Sequence, residues 1–408
     1  MSEATQEWGR GSFRTVPHQV RHVIWLTSFA AIGVGYLLTY FVAYLPEIGI
    51  SSGEVGLIIA TLSIATIVAA IPLGLLSDRL GRKKVLLFAL IMFPPILVAC
   101  ALTTELWMIL VIAIFGGISE GAFMTAWNAL IADQTTLDNR NAAFALSFIV
   151  NTSMTGLGCA LPFFFPFIES SFGWSSEAVH SGAFLVVAAA CVISPVGIYL
   201  ELRDYHEKRG TRAKKQPVLK TETKRNLVRF SLINSLIGLG AGFIISLIPT
   251  WLWLKFSIPD SLSGPLLAVS SVVMAFASLA SARIAFRYGP VKAITLTQGL
   301  STVFLVLIPL MPGAALASVA FVVRSMFMNM SAPIADSFLM GIISKEERGL
   351  ASAINNIVWR LPNSVTTIFG GMLLGAGFYN LPFFITAACY VTAIALFYHI
   401  FKGVRPHS

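Results

Sequence analysis

The 408 residues carry 28 Lys and Arg against 19 Asp and Glu, a formal charge of +9, yet only 12% of positions are charged and 56% are hydrophobic. Soluble globular chains keep about 25% charged residues, so a mean hydropathy of +0.80 excludes a soluble protein and places the chain in a membrane. The surplus charge then reports orientation in the bilayer rather than nucleic-acid binding, and no nucleic-acid partner is expected.

In chain order, residues 1–24 are polar, carry Arg10, Arg14 and Arg21, and read as a cytoplasmic tail without a cleavable signal. Apolar runs then predict twelve spans at about 25–45, 55–76, 85–102, 106–131, 141–165, 180–200, 228–252, 265–286, 291–311, 314–340, 350–375 and 381–401. About 20 apolar residues suffice to cross a bilayer as a helix. The expected fold class is an all-α membrane protein of twelve transmembrane helices in two pseudo-symmetric six-helix bundles, over 25–200 and 228–401. A basic cytoplasmic linker, 201–227, joins them, and 402–408 form a cytoplasmic tail. A second polar piece, Glu169–Ser181, is expected as the loop between spans 5 and 6. Thirty Phe, 32 Gly and 19 Pro suit helices in lipid, where neighbours satisfy the backbone at kinks. Cys100, Cys159, Cys191 and Cys389 all fall in apolar runs, with neither pairing nor metal spacing, and read as small buried hydrophobes.

Lys and Arg fix the orientation. One set of loops and ends holds Arg79, Arg82, Lys83, Lys84, Arg140, nine basic residues in Glu201–Asn226, Arg287, Lys292, Lys345, Arg348, Lys402 and Arg405. The opposite set holds one, Lys255. Both termini and the linker are therefore expected in the cytoplasm.

The halves repeat at an offset of 208 residues. Arg79, Gly81 and Lys84 in the loop after span 2 recur as Arg287, Gly289 and Lys292 after span 8; Arg140 falls on Arg348, and Asn128 on Asp336. Such a parallel repeat is common in alternating-access transporters. The loop itself, Gly74-Leu-Leu-Ser-Asp78-Arg79-Leu-Gly81-Arg82-Lys83-Lys84, resembles the signature of the major facilitator superfamily, G-x-x-x-D-[RK]-x-G-[RK]-[RK]. The resemblance covers about residues 22–402. It implies two bundles around a cavity that opens to each side in turn, lined mainly by spans 1, 4, 7 and 10. It also implies a cytoplasmic gate in which Asp78 faces the start of span 11 and Arg82 pairs with Asp133, at the end of Ala129-Leu-Ile-Ala-Asp133. Phe286 replaces Asp78 in the second copy, so the stronger latch is expected on the first half.

Three ionisable residues fall near mid-span, where burial is costly unless they face a cavity or a partner: Glu120 in span 4, Arg324 in span 10 and Arg360 in span 11. Glu120 is the proton-coupling candidate. Competition among a proton, Arg324 and substrate for one carboxylate would couple them, whereas a permanent pair with Arg324 or Arg360 would only join helices. The two arginines suit an anionic ligand, because guanidinium binds carboxylate oxygens in a fork. Ser364 and Thr367 share a face with Arg360. Further substrate-binding candidates are Tyr36 and Tyr40 in the span 1 stripe that continues to Tyr44, Trp127 in span 4, Asn151 in span 5, Asn234 in span 7 and Asn329 in span 10. Gly117 with Gly121, and Gly371 with Gly375, permit close helix approach.

Drug–proton antiporters of the superfamily often carry an arginine in span 4 and a glycine–proline run in span 5. Here Ile112 and Ala113 lie near the arginine position and span 5 reads Gly156-Leu-Gly-Cys-Ala-Leu-Pro162, so the likeness to that subgroup is partial. The expected function is proton-coupled secondary active transport of a small organic anion, such as a carboxylate, by alternating access. The alternative is proton-driven efflux of lipophilic or cationic compounds by a multidrug antiporter. Glycine-rich patches lack a following Lys-Ser/Thr and the six His form no ligand cluster, so no enzyme activity, cofactor or metal is expected. The expected partners are a small-molecule substrate, protons and the lipid bilayer. A monomer in the plasma membrane is the expected form.

Overall fold

Long apolar runs broken by short charged turns give helices, and in the computed structural model no strand occurs among the described residues, 15–205, 221–343 and 347–404. Eleven spans are long and apolar enough over those residues to cross a membrane. The remaining long helix is span 11, Arg348–Gly375, in which Asn356, Arg360, Asn363, Ser364 and Thr367 form one polar stripe at helical spacing. Large apolar side chains lie outward at high exposure, Val186 at 70% and Phe276 at 69%, as lipid-facing surfaces require. The chain is a multi-span membrane protein.

Helices outrun several predicted bounds. Span 1 begins at His18, within the segment read as a tail. Its first turns are tied down by Gln19, which donates to the Glu201 carbonyl at 3.2 Å, and by His22, 3.3 Å from the Glu201 carboxylate. Most of the expected loop between spans 5 and 6 is helical: Phe165–Phe172 ends on Gly173 in the left-handed region (φ 67°), and Ser176–Cys191 starts after Ser175, whose hydroxyl accepts from the Ala178 N–H. Span 7 begins at Thr221, inside the predicted linker. Residues 206–220 of that linker lie outside the described residues, as do most of both tails and Lys345 with Glu346.

Span 1 changes character after Thr39. Tyr40–Tyr44 form a π turn, and a last helical turn, Leu45–Glu47, contains Pro46. Proline has no N–H for the carbonyl four residues back. That carbonyl, of Val42, accepts the Thr250 hydroxyl at 2.6 Å instead. Val42 and Thr250 are themselves 208 residues apart, so equivalent positions of the repeat touch.

Two compact units result. The first gathers residues up to Leu38 with Ala65–Gly210; the second gathers Thr39–Ile64 with Thr211–Ser408. In the first, span 3 (Arg82–Ala101) packs on span 4 (Leu106–Asp133) and on span 6, which runs from Ser176–Cys191 into Ile193–Glu201. In the second, span 9 (Pro290–Leu307) packs on span 10 (Ala314–Gly341) and span 12 (Leu381–Phe401), while span 7 packs on span 11. The pairings 3·4 with 3·6 and 9·10 with 9·12 are the repeat expressed in packing. Residues 39–64 belong to the second unit through specific bonds. Ser52 donates to the Gly371 carbonyl at 2.8 Å, and the Asp260 N–H donates to the Glu47 carboxylate. Phe230, Phe338, Phe397 and Phe401 form an aromatic core there.

Candidate functional site

The charged loop between span 2 (Ser52–Leu80) and span 3 is built on Gly81, whose φ of 106° is a conformation side chains disfavour. The turn sends Arg82 toward the end of span 4. Its guanidinium donates to the Ala129 carbonyl at 2.9 Å and forms an ion pair with Asp133. The last carbonyls of a helix have no partners within it and attract cations. Arg140, from the start of span 5 (Leu137–Ala160), uses the same property: it donates to the Ala132 carbonyl at 3.0 Å and the Thr135 carbonyl at 3.3 Å. Two guanidinium groups thus grip the end of span 4. Sequence reasoning found Arg82 and Asp133; it placed Arg140 in the repeat but missed its capping role, which basic residues just after a helix end signal. Asp78 is exposed at the end of span 2, and the side chain of Arg348 at the start of span 11 lies outside the described residues.

Glu120 sits mid-way along span 4, partly buried. Its carboxylate accepts from the Thr66 hydroxyl of span 2 at 3.3 Å. Close helix contact makes this possible: a Cβ on Gly121 would lie 2.8 Å from the Thr66 carbonyl. One turn on, Phe123 stacks on Trp127 at 5.5 Å, and the Trp127 indole donates to the Ser147 hydroxyl at 3.0 Å. Asn151 donates to the Ser147 carbonyl at 2.9 Å. Two predicted ligand residues, Trp127 and Asn151, therefore meet through Ser147, which the sequence did not single out. Tyr36 lies apart from them. Fully buried, it packs on Phe165 and Phe184 and bonds to His180, donating to its carbonyl at 3.1 Å.

In the second unit Arg324 is 3% exposed. Its guanidinium donates to the Tyr390 hydroxyl of span 12 at 2.9 Å and lies 5.7 Å from that ring's centre. The backbone carbonyl of Arg324 accepts from Ser301 at 3.0 Å, joining spans 9 and 10. Asn234 donates to Asn355 at 3.1 Å across spans 7 and 11, and Asn329 to its own helix at Ser325. Arg360 is part-buried on the polar stripe of span 11, its carbonyl accepting from Ser364 at 2.8 Å. Tyr40 is buried in the π turn, 5.3 Å from Tyr44.

These spans, the duplicated hinge and the Arg82–Asp133 pair sit in a chain whose residues 24–361 and, again, 230–408 match the family profile "Major Facilitator Superfamily". The chain belongs to the Major Facilitator Superfamily. It is accordingly a transport protein, not an enzyme, and moves small molecules across the membrane in which it lies. Similar superfamily relatives include Multidrug resistance protein 2 of Bacillus subtilis (strain 168), 28% identical over 147 residues; the match spans 33% of this chain and only 37% of that protein. Multidrug resistance protein 1 of the same organism is 24% identical over 90% of this chain and 92% of its own length. The gallate transporter of Pseudomonas putida is 29% identical over 134 residues, 33% of this chain and 29% of that one. Among solved structures, a bacterial homologue of the human lysosomal transporter Spinster, inward-facing and occupied, superposes with a TM-score of 0.76 at 16% identity, over 94% of this chain and 96% of that one. At that identity the likeness establishes the fold alone.

Proposed function

We propose that this superfamily member is a proton-driven exporter of lipophilic, cationic compounds, working by alternating access as a monomer in the plasma membrane with both termini in the cytoplasm. The observation that carries the reading is a carboxylate midway along a membrane span, on the same helix as an aromatic stack. Glu120 lies midway along span 4 and accepts from the Thr66 hydroxyl, while the Arg324 guanidinium donates to Tyr390 inside the second unit. An acid in an apolar, aromatic setting, next to the Phe123–Trp127 stack, suits a proton and a hydrophobic cation as alternating occupants. The full-length likeness to a multidrug resistance protein points the same way. In this reading Trp127 and Asn151, which meet through Ser147 in the first unit, shape the substrate's surroundings. Asp78, Arg82 and Asp133 form the cytoplasmic latch.

The test is transport of a lipophilic quaternary ammonium dye into proteoliposomes under a pH gradient. Glu120→Gln should cut gradient-driven accumulation by about tenfold or more, the scale of a lost essential proton carrier, while dye exchange without a gradient continues. Accumulation that keeps its dependence on pH removes the proton role. A second reading, transport of a small organic anion, draws on the partial likeness to the gallate transporter and on Arg360 and Arg324. It requires Arg324→Ala to weaken binding of an aromatic carboxylate sharply. The exporter reading expects that variant to lose thermal stability with dye affinity intact.

A further inference from the structure

Between spans 3 and 6, within the first unit, lies a groove of about 930 Å³ that no step of transport described above uses. Its size is within the range of small-molecule sites. Proline chemistry explains it. Pro94 and Pro95 stand inside span 3, and Pro195 cannot donate to the Cys191 carbonyl four residues back, so span 6 breaks at Val192. The two helices part where their prolines face, and Leu87, Ile91, Leu185 and Ala189 line the space between. Ile91 is 59% exposed and Val196 51%, so the groove opens outward. Both helices are membrane spans, and hydrocarbon is the surrounding medium.

One end of the groove is charged. Tyr199 and Leu200 line that end, and the Lys83 ammonium stands 5.8 Å from the Tyr199 ring centre and donates to the Leu202 carbonyl. Lys84 and Arg203, the residues following Lys83 and Leu202, are exposed at this level of the molecule. Of the nearby carboxylates, Glu201 is paired with His22, while Asp204 is exposed. An apolar slot in the membrane ending at a cluster of three basic residues matches one chemistry, an acyl chain joined to an anionic head. We propose that the groove is a binding site for one anionic phospholipid, its acyl chain lying between spans 3 and 6 and its phosphate against Lys84 and Arg203. Basic clusters at the interface ends of spans recognise anionic head groups in this way.

Native mass spectrometry of the purified full-length protein in detergent, titrated with phosphatidylglycerol or phosphatidylcholine, tests it. Wild type should retain one phosphatidylglycerol at about fivefold lower lipid concentration than phosphatidylcholine for each basic contact made. Ala189→Trp, which fills the slot from an exposed position, should abolish that retention, and Lys84→Gln should reduce it about fivefold with phosphatidylcholine unaffected. Val319→Trp, at an exposed apolar position of span 10, controls for the added ring and should bind as wild type does. Equal retention of the two lipids, undiminished binding by Ala189→Trp, or full competition by glycerol phosphate without acyl chains overturns the proposal. A dimer that forms in wild type and is lost in Ala189→Trp also overturns it, since a second copy would then fill the slot.

Discussion

The two loops that follow spans 2 and 8 share a backbone and differ in charge. Gly81 (φ 106°, ψ 144°) and Gly289 (φ 77°, ψ 158°) turn the chain in the same way, each between a helix of 29 residues and the next span. At Gly81 the following residue is Arg82, which reaches the end of span 4; at Gly289 it is Pro290, which has no side-chain donor but opens a helix well. Asp133, the partner in the first copy, corresponds to Gly341 in the second, and Asp78 to Phe286, which is 84% exposed. Duplication therefore kept the backbone that geometry requires and released the charges that geometry does not. An ion pair held in one copy alone is not required by the backbone that the two copies share.

That contrast can be broken by substitution. Gly81→Ala and Gly289→Ala should both destabilise, each by about 1–3 kcal/mol for a side chain forced into a glycine-only region; a thermal melt that separates them widely would mean the two turns are not equivalent. Arg82→Ala should cost less in stability, about 1 kcal/mol because the pair is part-exposed, yet slow transport clearly. Arg82→Lys should restore part of the rate, since a single nitrogen, Nη1, serves both Ala129 and Asp133 and an ammonium has three donors. Asp78→Asn should lower the transport rate by less than about tenfold, near 1 kcal/mol of barrier, and leave the choice of ligand unchanged. An unaltered rate removes Asp78 from the latch. The smallest effect belongs to Phe286→Ala, expected within about 0.5 kcal/mol in a melt and silent in transport.

Much of the fold was legible because hydropathy records which segments leave water. The spans, the 208-residue repeat and the Arg82–Asp133 partnership all follow from residue type and order, the last through the family's signature. Span 11 was legible too, although its polar stripe keeps it below the apolarity of its neighbours. Helix bounds were less so. Polar residues such as His18 and Gln19 are helical because Glu201, far along the chain, receives them. The candidate site was legible in its ionisable members only. Nothing in the local pattern tells that Ser147 joins Trp127 to Asn151, that Tyr390 takes up Arg324, or that Tyr36 belongs with His180.

Composition and periodicity by themselves determined that this chain lives in lipid, crosses it many times, and was built by doubling a half; these are properties of single segments meeting a solvent. Apart from Arg82 and Asp133, which polar groups meet was decided by the tertiary structure. Residues 39–64 join the second unit because Pro46 leaves the Val42 carbonyl open to Thr250 and because Ser52 reaches Gly371. A buried hydrogen bond depends on two segments arriving within 3 Å of each other, and distance along the chain carries no record of that.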